Sequence, residues 1–274
     1  MTDHQPDLDL VARAVAGEQT ALEDVMRRVQ DPVYRLALRM TARPADAEDT
    51  TQEILIRILT RLASYRGEAA LTTWAYRVAA NHLINLARRT PHEENGITVD
   101  SYRQDLLDGL AAPEYQGPDT ELLAEEVRLI CTQALLQCLD RDARAVYVLG
   151  DIVRLPGEEA AWALGLQPAA YRKRLERARR QVRDALRGRC GLLDATAPCR
   201  CARRINHAVG KGRIDPERPA LATHAVTEAA AQVHELHDVG DLLRTHPAYA
   251  APRSRTEAVL ALAKAGRYRG VLDA

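Results

Sequence analysis

Phenylalanine does not occur in this chain of 274 residues, and Trp and Tyr bring the aromatic content to only 4%. Such a chain must build its interior from Leu, Ala, Val and Ile. Side chains of that kind favour helices packed side by side, so the expected fold class is all-α. The apolar share of 46% is ordinary for a globular chain. The length suits one large domain or two to three small ones. The formal net charge is zero, so only the distribution of charge carries information about partners.

The N-terminus, MTDHQPDLDL, is acidic and has no apolar core of the kind a secretory signal needs. No apolar run approaches the roughly 20 residues of a membrane helix. A cytoplasmic location, with no membrane partner, is therefore expected. In that compartment clustered thiols more often bind metal or sense redox state than form structural disulfides.

The first 89 residues read as helices with short breaks. In DAEDTTQEILIRILTRLASY, Ile54, Ile58 and Leu62 recur every four residues, with Leu55 and Leu59 beside them. That is an amphipathic stripe, and Asp46 and Asp49 suit the positive end of its dipole. After a turn at Tyr65-Arg66-Gly67, TTWAYRVAANHLINLARR reads as a second helix, with Val78, Leu83, Ile84 and Leu86 on its buried side. Tyr65, Trp74 and Tyr76 lie among Arg66, Arg77, Arg88 and Arg89, a mixture that can stack unpaired bases and hold phosphates.

Residues 90–120 contain Pro, Gly and many acids with little periodicity, and read as a solvated acidic linker. Helices resume at about 121. Cys131 and Cys138 fall about 10 Å apart along one helix, too far for a disulfide, and read as small core residues.

The stretch LPGEEAAWALGLQPAAYRKRLERAR has the grammar of a helix-turn-helix. Ala160, Ala161 and Leu164 face inward on the first helix, Gly165 permits the turn, and Leu166 packs across it. Pro168 suits the first turn of the second helix, where Ala170, Leu175 and Ala178 form an apolar side. The opposite side is cationic, with Arg172, Lys173, Arg174, Arg177, Arg179 and Arg180 at helical spacing, which suits a DNA major groove.

Three stretches, in this order, together resemble bacterial RNA polymerase sigma factors of the extracytoplasmic-function group: DAEDTTQEILIRIL, YRGEAALTTWAYRVAANHLINLARR and EEAAWALGLQPAAYRKRLERAR. The resemblance covers roughly residues 10–190. It implies a promoter-melting domain over 1–89, a linker over 90–120 that in the family threads the polymerase cleft, and a helix-turn-helix domain over 121–189. It implies core-polymerase contacts by Asp49, Gln52 and Glu53. For the −10 element it implies Tyr65, Arg66, Gly67, Trp74, Arg77, Asn81, Arg88 and Arg89. For the −35 element it implies Gln167, Ala170, Tyr171, Arg172, Arg174 and Arg177. The family's Gly-Thr-Val at the start of the reading helix is Ala169-Ala170-Tyr171 here, which adds a phenol and alters the expected −35 preference. Core RNA polymerase and promoter DNA are the implied partners, no catalysis is expected and no cofactor is required.

Residues 190–274 read as a helical C-terminal extension, and resemble more loosely the extensions of some sigma factors of this group. Three of the chain's five cysteines, Cys190, Cys199 and Cys201, fall within twelve residues. With His207 they give the spacing C-x8-C-x-C-x5-H, a candidate tetrahedral zinc site. The alternatives are a thiol redox switch or neither role; Arg189, Arg200, Arg203 and Arg204 are expected to lower the thiol pKa values, which favours metal binding and oxidation equally. His224, His234 and His237 read as surface or core residues. The extension could govern activity by folding back on the DNA-binding domains, in place of a separate anti-sigma protein. Two competing functional classes are a stand-alone helix-turn-helix regulator responsive to metal or redox state, and a small zinc enzyme in the tail. The second lacks a catalytic arrangement such as H-E-x-x-H.

Overall fold

Residues 4–86, 97–111, 113, 115–222 and 238–265 are described by the computed structural model. Among them the regular structure is helical, and the one strand-like feature is an isolated backbone pairing of Cys190 with Cys199. The chain divides into two units. One comprises residues 1–91, 155–172 and 248–274, the other 92–154 and 173–247. This division cuts across the four sequence segments, because a piece of the helix-turn-helix and the last helix both belong with the N-terminal helices.

The first unit contains α1 (Gln5–Val15), α2 (Gln19–Thr41), α3 (Pro44–Thr60) and α4 (Leu71–Leu86). To these it adds α8 (Gly157–Ala163), the start of α9 (Pro168–Leu186) and α12 (Arg253–Lys264). Ala21, Val25, Met26, Val29 and Val33 recur three and four residues apart on α2 and are fully buried. They face the expected stripe of α3, where Ile54, Leu55 and Ile58 are fully buried and Leu59 nearly so. Each buried Val, Leu, Ile or Met side chain here contributes roughly 1.5–3 kcal/mol. Asp7 fixes the entry to α4: its carboxylate accepts from the Leu71 N–H at 2.9 Å and pairs with Arg28 at 2.9 Å.

The second unit contains α5 (Val99–Asp108), α6 (Thr120–Gln137), α7 (Arg141–Tyr147), the remainder of α9, α10 (Ile205–Gly210) and α11 (Val239–Arg244). Helix α5 corrects the expectation of an unstructured linker. Thr98 and Ser101 cap it reciprocally, each side chain accepting from the other's N–H, and Tyr102 and Leu106 are buried. Two polar groups then organise this unit. Arg144, 5% exposed, donates to the carbonyls of Leu136 and Leu139 at the end of α6, where a cation suits the helix dipole. Glu126, 1% exposed, accepts from the N–H groups of Ala220, Leu221 and Ala222 at 2.6–3.2 Å. Residues 219–222 are therefore non-helical, against the helical reading of that stretch. His224, His234 and His237 lie outside the described residues.

Candidate polymerase and nucleic-acid interfaces

The α3 stripe leaves Asp49 and Glu53 exposed and Gln52 half-buried on the opposite face. Two of these three have partners on α12. Arg255 Nη2 lies 2.7 Å from Asp49 Oδ1, and its Nη1 donates to Gln52 Oε1 at 3.0 Å. Glu53 instead faces His82 Nε2 of α4 at 3.1 Å.

The turn between α3 and α4 does not present its aromatics to solvent. Tyr65 is 4% and Trp74 8% exposed, meeting edge-on with ring centres 5.8 Å apart. The Tyr65 hydroxyl donates to the Ala69 carbonyl at 2.8 Å, and burial raises its pKa to about 12. Both rings thus hold the loop's shape, and Trp74 takes a core position. Arg66 remains exposed, and Gly67 supplies the positive φ of 70° that the turn requires. Nearby, Arg57, Arg61, Asn81, His82 and Asn85 line a cleft of about 380 Å3. Arg88 and Arg89 fall outside the described residues.

Arg77 is covered. Its guanidinium lies 4.5 Å from the centre of the Trp162 ring and donates to the Trp162 carbonyl at 3.1 Å. Trp162 Nε1 donates to Glu68 at 3.3 Å, and Thr73 donates to Glu159 at 2.9 Å. The face of α4 that bears Thr73 and Arg77 is therefore occupied by α8. Trp162 and Glu159 gave no sequence signal for this role, since an aromatic and an acid on a short helix read as ordinary surface residues.

Gly165, at φ 64°, makes the turn between α8 and α9, and the Leu166 N–H closes it onto the Ala161 carbonyl at 2.9 Å. Along α9, Tyr171, Leu175, Ala178, Val182 and Ala185 are buried. Gln167, Arg172, Lys173, Arg174, Arg177 and Arg180 are exposed on the other face. Tyr171 is only 2% exposed, so its phenol belongs to the interior. Ala170 is half-buried. Arg179 is held by Asp151 through two bonds to Oδ1 and Oδ2 at 2.6 and 2.9 Å.

A family profile described as Sigma-70 region 2 matches residues 25–91, which run from within α2 through α4. The ECF RNA polymerase sigma factor SigE of Mycolicibacterium smegmatis is 33% identical over 174 residues, covering 62% of this chain and 64% of that protein. The RNA polymerase sigma-H factor of Pseudomonas aeruginosa is 27% identical over 191 residues, 68% of this chain and 96% of that one. The ECF RNA polymerase sigma-E factor of Escherichia coli is 30% identical over 187 residues, 66% of this chain and 95% of its own length. The chain belongs to the ECF RNA polymerase sigma factors. That assignment sets aside the stand-alone regulator.

The residues expected as a zinc site, Cys190, Cys199, Cys201 and His207, all lie in the second unit of this sigma factor. Among the described residues no three His, Cys, Asp or Glu side chains are placed to hold a metal ion. His207 Nε2 faces Asp105 Oδ1 at 3.0 Å. Asp105 also receives Arg204 and Arg213, each at 2.6 Å. Burial opposes ionisation of this carboxyl, but the hydrogen bonds from Arg213, His207 and Arg204 outweigh it and hold the pKa well below the carboxylate range.

Cys131, read as a core residue, faces Tyr102 at 3.1 Å and Arg204 at 3.7 Å. A thiolate there would repel charge on Cys190, Cys199 and Cys201 alike. Burial, then this mutual repulsion, pushes Cys199 up to about 12 and Cys201 higher. The arginines lower these values less than burial raises them, contrary to the expectation of ready thiolates.

Proposed function

We propose that this sigma factor binds core RNA polymerase through the outward face of α3 and directs it to promoters that it reads at two elements. Asp49, Gln52 and Glu53 are the polymerase contacts. Arg66, Arg77, Asn81, Arg88 and Arg89 serve the melted −10 strand, and Gln167, Arg172, Arg174 and Arg177 the −35 duplex. The protein works in the cytoplasm, where its two partners are.

The observation that carries this reading is the two-sided character of α9. An unbroken buried line from Tyr171 to Ala185 backs a row of exposed cations, directly after a positive-φ turn. Exposed arginines on a helix set by such a turn suit phosphate contact and guanine edges in the major groove. Phosphate contacts give salt-dependent affinity, and each lost cation reduces the slope of log K against log salt by about 1.

The test is runoff transcription with core polymerase on a library of genomic promoter fragments. Initiation from a defined subset is expected. Arg174→Ala and Arg177→Ala should weaken promoter binding and flatten its salt dependence. A folded protein that binds core polymerase yet initiates from no fragment would sink the proposal.

A further inference from the structure

We infer that α12 is an intramolecular occupant of the α3 docking face, so that core polymerase must displace the sigma factor's own C-terminal helix in order to bind. The inference rests on the reading of α3 as the polymerase-docking helix. Arg255 makes the decisive contacts. Its guanidinium spans Asp49 and Gln52, three residues apart on α3, with Glu48 3.9 Å from its Nε. Two of the three side chains assigned to polymerase are thereby engaged from within the same chain.

The seat of α12 is more than one ion pair. Val259 is fully buried and Thr256 is 7% exposed, so the helix turns an apolar side inward. At its far end Lys264 pairs with Glu23 at 3.2 Å. Just before it the Ala251 N–H donates to Asp31 at 2.9 Å. Apolar burial holds the helix on α2 and α3, and Arg255 fixes which residues of α3 it covers. A partner that needs Asp49 and Gln52 meets an arginine already bridging them. The two cannot be bound there together.

The contacts are of a strength that allows release. Arg255 and Asp49 are 36% and 67% exposed, and ion pairs in such positions are weak. Breaking one shifts a two-state equilibrium by about fivefold at most.

The test uses the full chain and purified core polymerase. Hydrogen exchange over 253–264 reports the seat of α12 without polymerase, and fluorescence titration reports core affinity. Arg255→Glu and Val259→Asp disturb the seat by different means, through charge and through burial. Both should speed exchange in α12 and tighten core binding, Arg255→Glu by about fivefold and Val259→Asp by at least as much, whereas Arg255→Lys should stay close to wild type in both. Faster exchange with unchanged core affinity would overturn the inference, and so would unchanged exchange in both variants. Glu53→Arg separates the underlying reading, because Glu53 faces His82 and not Arg255. Undiminished core binding by that variant would remove α3 as the docking helix, whatever α12 does.

Discussion

The guanidinium of Arg77 sits over the indole of Trp162, 4.5 Å from the ring centre. One residue belongs to the set proposed above for the −10 strand and the other comes from the first helix of the helix-turn-helix. A cation over an aromatic face is worth about 0.5–1 kcal/mol where water can reach it. Trp162→Ala should therefore free Arg77, and affinity for a single-stranded −10 oligonucleotide should rise about two- to fivefold. Fluorescence anisotropy with the isolated sigma factor checks this. An affinity equal to wild type would show that the indole does not restrain Arg77.

Glu126 binds three consecutive backbone N–H groups while almost wholly buried. Gln in its place keeps the volume but loses an acceptor and the charge. Leaving such a donor unpaired costs about 1–3 kcal/mol. The urea midpoint of Glu126→Gln should fall accordingly, and amide exchange at Ala220–Ala222 should accelerate more than elsewhere in the chain.

Asp105 gives a pH signature. Its folded-state pKa is depressed by Arg213, His207 and Arg204 against the effect of burial. The stabilisation is therefore present above the unfolded value of about 3.9 and is lost as pH falls through the lower folded value. Wild type should lose stability below about pH 4, and Asp105→Asn should lose less over the same range. At neutral pH that variant should be about 3 kcal/mol less stable, because Arg204, 5% exposed, loses its counter-ion. Chemical denaturation at several pH values measures both.

The thiols titrate in the opposite sense. Burial, then repulsion from Cys131, raises Cys199 to about 12. Its contribution is full below the unfolded value of about 8.5 and is lost as pH rises toward about 12. Near neutral pH, iodoacetamide should label Cys199 far more slowly in the native protein than in urea, as read by mass spectrometry. His207→Gln should leave the metal content by inductively coupled plasma mass spectrometry equal to wild type. A stoichiometric loss in that variant would contradict the pairing of His207 with Asp105.

Much of the fold was legible because it is local. The four-residue spacing of Ile54, Ile58 and Leu62 required a buried face, and all three are buried. Gly165 marked the turn, and it carries a positive φ there. Helix α5 was missed because its acidic surface and short length mask two buried residues, Tyr102 and Leu106. What escaped the sequence altogether depends on distant partners. Nothing in SRTEAVLALAKAG says that Arg255 meets Asp49, nor does Glu126 announce the N–H groups of residues 220–222. Cys131 lies far along the chain from Cys190, Cys199 and Cys201, which it repels. The wrong sign for the thiol pKa values has one cause: neighbouring arginines can be counted in a sequence, but burial, the larger effect, cannot.

The position of α12 on α3 has a quantitative consequence for how sigma factors share a limited supply of polymerase. A tethered helix competes at an effective concentration that can reach millimolar, yet its contacts are individually weak. If one chain in ten has α12 lifted, the apparent dissociation constant rises about tenfold and no more. Such a chain is not switched off. It is handicapped in proportion, losing to rivals when polymerase is scarce and gaining its share as free polymerase accumulates.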